Sequence, residues 1–428
     1  ETDHDARADL VQHALDDGVV MLFVCHGSAV PLCCQACGGT AAREPEAALM
    51  NRSFDDKPVT PYLRLDVERM ERNIETLQAR LDRLGVALRP HVKTCKSIEV
   101  ARRMLGDSNT GITVSTLAES AYFLQHEVRD QIYAVGIAPS KLQAVADLER
   151  RGARLRIVLD HPVTARQVSD AAAAFDHRFE VLLEIDSDRK RAGFAPDDAG
   201  LIEAARILER GGCAVVGVMT HMGGSYACSD RAGLEQAAER ERCTAVHAAE
   251  ALRAAGFRCD IVSVGSTPTA RFATDLSGVT EVRAGTHVFM DLVMAGLGVC
   301  RFDDIAISVV GEIIGYREHA GEWLVDAGWM ALSADRGTAD QKTDFGYGLV
   351  MTEGSGADAD LIVRSASQEH GVIARRDGAR LGADAFKIGQ RIAILPNHAC
   401  ASAAQHDRYR VEGSASPTGA WWPRMRGW

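Results

Sequence analysis

Val86-Ala87-Leu88-Arg89-Pro90 opens a pattern that repeats along much of this 428-residue chain. It is a short, mainly apolar run. Before it, Met70, Ile74, Leu77, Leu81 and Leu84 recur at steps of four and three residues, the spacing of an amphipathic helix. Asp66 is placed to cap that helix and Gly85 to close it. Tyr62-Leu63-Arg64-Leu65 reads as a strand leading into it. Further apolar runs follow at 111–114, 131–135, 155–159, 180–185, 214–219, 260–264 and 280–283, most separated by helix-length segments such as 163–174, 199–210 and 231–255. Runs apolar on both faces and joined through helices are the strands of a parallel sheet. Eight of them over roughly 200 residues predict an α/β fold, a (β/α)8 TIM-type barrel.

The pattern changes after about Phe302. Ile305–Tyr316, Trp323–Asp326, Leu361–Val363, Val372–Arg375 and Arg391–Leu395 alternate with Gly- and Asp-rich turns, which predicts an all-β C-terminal domain. The expected organisation is a barrel over 58–302 and a β domain over 303–428, preceded by a poorly structured extension over 1–57. Within that extension Cys25, His26, Cys33, Cys34 and Cys37 cluster without helical or strand period, at spacings that match no zinc pattern. Met50 is a candidate natural start.

Composition narrows the function. Hydrophobic residues make up 46% and charged residues 25%, the balance of an ordinary globular protein. A net charge of −11 argues against nucleic acid or an anionic membrane as partner. No apolar stretch reaches the ~18 residues needed to cross a bilayer. The 11 cysteines are an odd number scattered through segments that read as buried strands and helices, which fits reduced thiols in a cytosol better than a disulfide framework.

Two motifs carry the chemistry. Lys93, in Arg89-Pro90-His91-Val92-Lys93-Thr94-Cys95-Lys96, follows the first barrel strand at its C-terminal end, where barrel enzymes place their active sites. A lysine there is often a solvated loop residue; desolvated beside other cations it becomes a nucleophilic amine that can form a Schiff base. His398 and Cys400 lie in Leu395-Pro396-Asn397-His398-Ala399-Cys400. A His and a Cys two apart on a strand share one face. They are more often core residues than ligands, but imidazole and thiolate together suit Zn2+ and leave coordination positions open.

Pro90-His91-Val92-Lys93-Thr94-x-Lys96 resembles the Schiff-base motif of the alanine-racemase-like, fold-type III pyridoxal-phosphate enzymes, in their D-serine dehydratase and D-threonine aldolase branch. Matching strings recur in order over most of residues 60–428: Glu184-Ile185-Asp186 with Arg191-Ala192-Gly193, His221-x-Gly223-x-Ser225-Tyr226, and Ser263-Val264-Gly265-Ser266-Thr267-Pro268-Thr269. Glu281-Val282-Arg283-Ala284-Gly285, Val325-Asp326-Ala327-Gly328-Trp329, Gln368-Glu369-His370-Gly371 and Pro396-Asn397-His398-Ala399-Cys400 complete the set.

The resemblance implies pyridoxal 5'-phosphate held covalently by Lys93, with Lys93 as the base at Cα. It implies a phosphate cradle from Gly265, Ser266, Thr267, Gly285 and Thr286, Arg191 opposite the pyridine nitrogen, and Tyr226 against the cofactor. Gly-Ser-Thr alone is usually a plain turn, and Tyr226 alone reads equally well as a buried structural tyrosine. Zn2+ on His398 and Cys400 marks the dehydratases, because D-threonine aldolases typically carry His-x-Asp there, with oxygen suited to Mn2+ or Mg2+.

The implied protein is a cytoplasmic homodimer, a lyase that takes a small-molecule β-hydroxy D-amino acid to a 2-oxo acid and ammonia. The alternatives are a D-threonine aldolase-like lyase, a non-catalytic pyridoxal-phosphate carrier and, third, a racemase. Two positions depart from the pattern, Met219 and His287, where relatives usually have tyrosine. Arg283, Arg336 and His287 are the candidate cations for a substrate β-carboxylate.

Overall fold

The computed structural model describes residues 58–428 except 109, 353–359 and 414–418; the N-terminal cysteine cluster lies outside the described residues. Eight parallel strands form the first sheet: β2 (Ala87–Pro90), β3 (Ile112–Val114), β4 (Asp130–Gly136), β5 (Arg154–Leu159), β6 (Glu180–Ile185), β7 (Ala214–Thr220), β8 (Ile261–Val264) and β9 (Glu281–Ala284). Each coincides with one of the eight apolar runs. The order is β2-β9-β8-β7-β6-β5-β4-β3. The barrel closes through one short seam, where His91 bridges Thr113 beyond the end of β2. There Val92 N–H donates to Thr113 O (3.0 Å), while on the opposite side of the strand His91 N–H donates to Ala284 O of β9 (2.9 Å). The residue after Val92 is Lys93, so the backbone that shuts the barrel also presents the lysine at its mouth.

Strand parity divides the interior into layers. Val181, Leu183 and Ile185 of β6 join the main core against the helices, while Leu182 turns inward with Ile132, Val158 and Met219. Below that apolar layer the interior is charged. Arg89 Nε meets Glu281 Oε2 at 2.7 Å and its Nη1 meets Asp130 Oδ1 at 2.6 Å. Arg156 Nη1 meets Asp130 Oδ1 at 2.8 Å and its Nε meets Glu180 Oε2 at 3.2 Å. Burial raises the Asp130 carboxyl's pKa, but the two guanidinium groups outweigh it and hold the group ionised.

The second sheet runs β11-β14-β13-β12-β15-β10-β1-β16-β17, with β11 also pairing β10. Its strands are β10 (Ile307–Arg317), β11 (Glu322–Val325), β12 (Leu349–Met351), β13 (Leu361–Ala366), β14 (Gly371–Arg375), β15 (Arg391–Leu395), β16 (Arg408–Glu412) and β17 (Trp421–Pro423). The β11–β10 pairing closes six of them, β10 to β15, into an antiparallel barrel.

Strand β1 (Tyr62–Asp66) belongs to this sheet, although it lies within the 58–302 range expected for the barrel. It pairs antiparallel with β10 and parallel with β16. A strand ahead of its helix can pair with any available edge, and local periodicity does not name the partner. From β1 the chain enters helix Val67–Arg83, which Asp66 caps by accepting from Arg69 N–H (2.9 Å). The two domains are therefore linked at both ends of the barrel sequence.

The buried charge layer makes a direct prediction. Arg89 is 5% exposed and Glu281 7%. Arg89→Ala strands two carboxylates and should cost about 3–5 kcal/mol in denaturant unfolding. Arg154→Ala breaks an exposed pair with Glu180 on the same ring and should cost less than about 1 kcal/mol. Equal effects would mean that the layer is solvated.

Candidate active site

One cavity opens at the C-terminal end of the parallel barrel, enclosing with its mouth about 680 Å³ of space outside the protein atoms. Lys93, Arg191, Tyr226, Gly265, Ser266, Thr267, Gly285 and Thr286, eight residues from five separated segments of sequence, all line it. Met219 lines it too and belongs to the apolar layer beneath. His287 does not: it is fully buried, and neither ring nitrogen has a hydrogen-bond partner.

The cavity is rich in polar groups. Arg283 donates from Nη1 to Ser263 Oγ (2.6 Å) and from Nη2 to Thr220 O (2.5 Å), while Ser263 Oγ donates to Glu281 Oε1 (2.6 Å). The floor is thus wired to the charged layer below. His221 sits 3.0 Å from Gly265 O through Nδ1. Burial outweighs that bond and brings its pKa down to about 3, so the ring is neutral and offers Nε2 as an acceptor. His91 is likewise held well below the usual range by burial and by Lys93 and Arg283. Glu184 moves the other way: burial and the nearby Asp160 push its carboxyl up to about 7 against the pull of Arg283 and Arg191.

The loops after β8 and β9 approach too closely to tolerate side chains at two glycines. Gly265 has φ +131, and a Cβ there would meet Arg283 O at 2.3 Å; at Gly285 it would meet His91 O at 2.9 Å. A substitution at Gly265 would therefore disturb the packing of β8 on β9 as well as any ligand. Ser266 caps the short helix Thr267–Phe272 by accepting from Thr269 N–H. The Gly265 N–H is already spoken for, donating to Glu241 Oε1 (3.1 Å), which also takes Met222 N–H (2.8 Å). Glu241 was missed in the sequence although a signal exists. On helix Arg231–Ala254 it falls in the stripe of Leu234, Ala237, Ala238, Ala245 and Ala248, where a carboxylate needs a buried partner.

Small side chains and backbone at Gly265, Ser266, Gly285 and Thr286, with Arg283, Arg191 and Lys93 around the same space, fit a phosphate and a carbonyl group that Lys93 can reach.

His398 and Cys400 are not on a strand. Strand β15 ends at Leu395; His398 is the N-cap of helix Ala399–Ala404 and Cys400 lies in its first turn. Pro396 and Asn397 turn the chain because their carbonyls accept from Leu292 and Val293 N–H of the barrel's last connection (both 3.1 Å), and Asp291 Oδ2 accepts Ala399 N–H (2.9 Å). The shared-face argument fails, yet the two side chains still come within hydrogen-bond reach of each other. Cys400 Sγ is 3.1 Å from Thr94 Oγ1, the residue beside Lys93, and 3.9 Å from Thr286 Oγ1 on the cavity wall.

Burial raises the Cys400 thiol's pKa, but His398 and Lys93 outweigh it and bring it down to about 7. His398 Nδ1 lies 2.7 Å from Asp335 Oδ2, a residue the sequence did not single out. A thiol disposed to ionise beside an imidazole fits Zn2+ as donor set. The pair offers two donor atoms, and among the described residues no group of three or more His, Cys, Asp or Glu could hold a metal. Of the candidate cations, Arg336 is occupied by Asp344 (2.5 Å).

Comparison with known proteins supplies the family. Residues 65–293 match the model of the alanine racemase N-terminal domain, and 306–412 that of a serine dehydratase domain. D-threo-3-hydroxyaspartate dehydratase from Delftia sp. is 47% identical over 86% of this chain and 98% of its own. D-serine dehydratase from Dictyostelium discoideum is 30% identical over 85% and 96%. The chain belongs to the serine dehydratase branch of the alanine-racemase-like family. The solved Delftia structure superposes with a TM-score of 0.85, at 46% identity over 87% of this chain and 99% of that one. A cysteine-to-alanine mutant of a D-threo-3-hydroxyaspartate dehydratase has been solved in the metal-free form. This protein is accordingly a lyase of the same α/β barrel architecture.

Glu184 gives the site a pH signature. Its folded-state pKa of about 7 lies above the reference value of 4.5, so folding favours its protonated form. The group costs nothing below pH ~4.5, and the cost grows as pH rises toward 7. In cofactor-free protein, Glu184→Gln should gain roughly 2–3 kcal/mol over wild type at pH 8 and almost nothing at pH 4.5. Denaturant curves at the two pH values measure the difference.

Proposed function

We propose that this enzyme is a pyridoxal-phosphate- and zinc-dependent dehydratase that converts a β-hydroxy D-amino acid, 3-hydroxy-D-aspartate or D-serine, to a 2-oxo acid and ammonia. The observation that carries this is the approach of Cys400 to Thr94: it brings the thiol of the second domain beside the residue next to Lys93. The relatives' activities support the substrate class. The metal-free form of the cysteine-to-alanine mutant supports a metal at the cysteine, and thiolate with imidazole favours zinc over a harder ion.

Lys93 would hold the cofactor, with Gly265, Ser266, Thr267, Gly285 and Thr286 around its phosphate, Arg191 at the pyridine nitrogen and Tyr226 at its edge. When bound, the cofactor supplies an electron sink for the pair left on Cα, and zinc a Lewis acid for the departing hydroxyl. The protein's own groups do the rest. Displaced by the substrate amine, Lys93 Nζ is free to take the Cα proton. A permanent cation at Arg191 keeps the ring nitrogen unprotonated and makes the sink weaker, which puts the burden on departure of the hydroxyl. Thr94 Oγ1 can donate to the Cys400 thiolate and hold it toward Lys93. Met219 and the apolar layer below keep water from the floor. Overall the substrate loses the Cα proton and hydroxide as water, and hydrolysis then releases ammonia.

Tyr226 and Val135 line the cavity yet are 39% and 44% exposed, which supports a homodimer in which the second copy covers the mouth. The seven described cysteines are free thiols, in keeping with a reducing, cytoplasmic setting, and no helix among the described residues is long and apolar enough to cross a membrane.

Incubation with 3-hydroxy-D-aspartate and D-serine should release equimolar ammonia and 2-oxo acid. Glycine and an aldehyde would instead identify an aldolase. Chelation should stop ammonia release while the bound cofactor's colour remains. Borohydride followed by peptide mapping should fix the cofactor on Lys93. Lys93→Ala should lose both the trapped adduct and turnover by at least 10³-fold, the scale of a lost covalent and acid–base group.

A further inference from the structure

We infer that Asp335 is the positioning residue of the metal site: its carboxylate fixes the ring of His398 so that Nε2, and not Nδ1, is presented to the ion. This rests on the zinc reading of His398 and Cys400 given above. A carboxylate only accepts hydrogen bonds, so the 2.7 Å contact between Asp335 Oδ2 and His398 Nδ1 requires the proton on Nδ1. In the neutral ring that zinc binds, the lone pair is then on Nε2, and the ring cannot flip without losing the bond.

The chain is built to deliver Asp335 to this place. Helix Trp329–Leu332 ends at Ser333, which has φ +78, a left-handed value that few side chains other than glycine adopt, and is nevertheless buried. Ser333 Oγ accepts Asp335 N–H at 3.0 Å, so the strained residue also shapes the turn that follows. The same helix is pinned to the metal-site helix, because Ser402 Oγ donates to Leu332 O (2.7 Å). On the far side, Thr338 donates to Asn397 Oδ1 from N (3.2 Å) and from Oγ1 (2.5 Å). Residues 333–338 are thus fastened at both ends to the segment 397–402 that carries His398 and Cys400. Backbone strain that persists at a fixed position marks a place where geometry matters more than local stability.

The test uses full-length enzyme with cofactor bound, stripped of metal by chelation, and reads metal binding and not turnover. Zinc affinity is measured by competition with a chromophoric chelator, and Co2+ is added separately to read the ligand field of the site. Wild type should bind one equivalent, and Cys400→Ala should lose the thiolate-to-cobalt charge-transfer band.

Asp335→Ala should weaken zinc 10–100-fold, the usual effect of removing such an outer partner, while keeping the thiolate band. Asp335→Asn, which can still accept from Nδ1–H but carries no charge, should fall between the two. An Asp335→Ala variant with wild-type affinity and an unchanged cobalt spectrum overturns the inference and leaves the zinc site standing. Loss of one coordinating group in the cobalt spectrum overturns it as well, because Asp335 would then be a direct ligand. If wild type takes up no zinc, or Cys400→Ala binds as wild type does, the zinc reading itself fails and the inference with it.

Discussion

The bond between Arg89 and Glu281 inside the parallel barrel is the constraint on which the site depends. Two charged side chains with almost no exposure are tolerable only if each satisfies the other, and here Asp130, Arg156, Glu180 and Ser263 share the task. Glu281 passes the constraint upward, since Ser263 and Arg283 form a continuous polar path from it to the cavity floor. Strands β2 and β9 are neighbours through this pair and through their register, Arg89 opposite Arg283. Just beyond that register, His91 closes the barrel onto Thr113 and Lys93 emerges. The position of the lysine is therefore a consequence of how the barrel shuts.

A second dependence runs between the domains. The metal-site helix belongs to the β domain by sequence, but its N-terminus is gripped by the barrel's last connection: Asp291 accepts both Met294 and Ala399 N–H, capping two helices with one carboxylate. Burial raises its pKa, so the group is maintained against an electrostatic cost by the two bonds and by the charge of His398. The same junction brings Cys400 to Thr94. Neither domain contains the whole arrangement, and small rotations between them would separate the thiol from the lysine loop.

How much was legible follows from the range of each signal. The eight parallel strands could be read because each is a short, mainly apolar run bounded by turns, a property of a few consecutive residues. The amphipathic helix at 67–83 could be read for the same reason, and its cap at Asp66 is a contact three residues long. Strand β1 was legible as a strand but not as a member of the second sheet, because its pairing with Val310 and Arg410 spans 240 residues and more, and nothing local encodes a partner. His398 and Cys400 were expected on a strand because Arg391–Leu395 is one; the turn at Pro396 and Asn397 depends on acceptors and donors from residues 291–293, 338 and 346. Asp335 left no trace, since an aspartate after a serine and an alanine is an ordinary loop residue until it meets His398.

The sequence by itself determined the kinds of element, their order, and which residue types could do chemistry, because hydrophobic periodicity, caps and motif spacing act over a few residues of chain. Tertiary structure alone decided the partners. It selected β1's sheet, turned a His-x-Cys strand into a helix start without separating its two side chains, and supplied Glu241 and Asp335 from distant helices and turns. It also set the charge state of Glu184 and His221, because burial and neighbouring charges come from chain segments far apart in sequence, and only the folded barrel puts them within a few ångströms of one another.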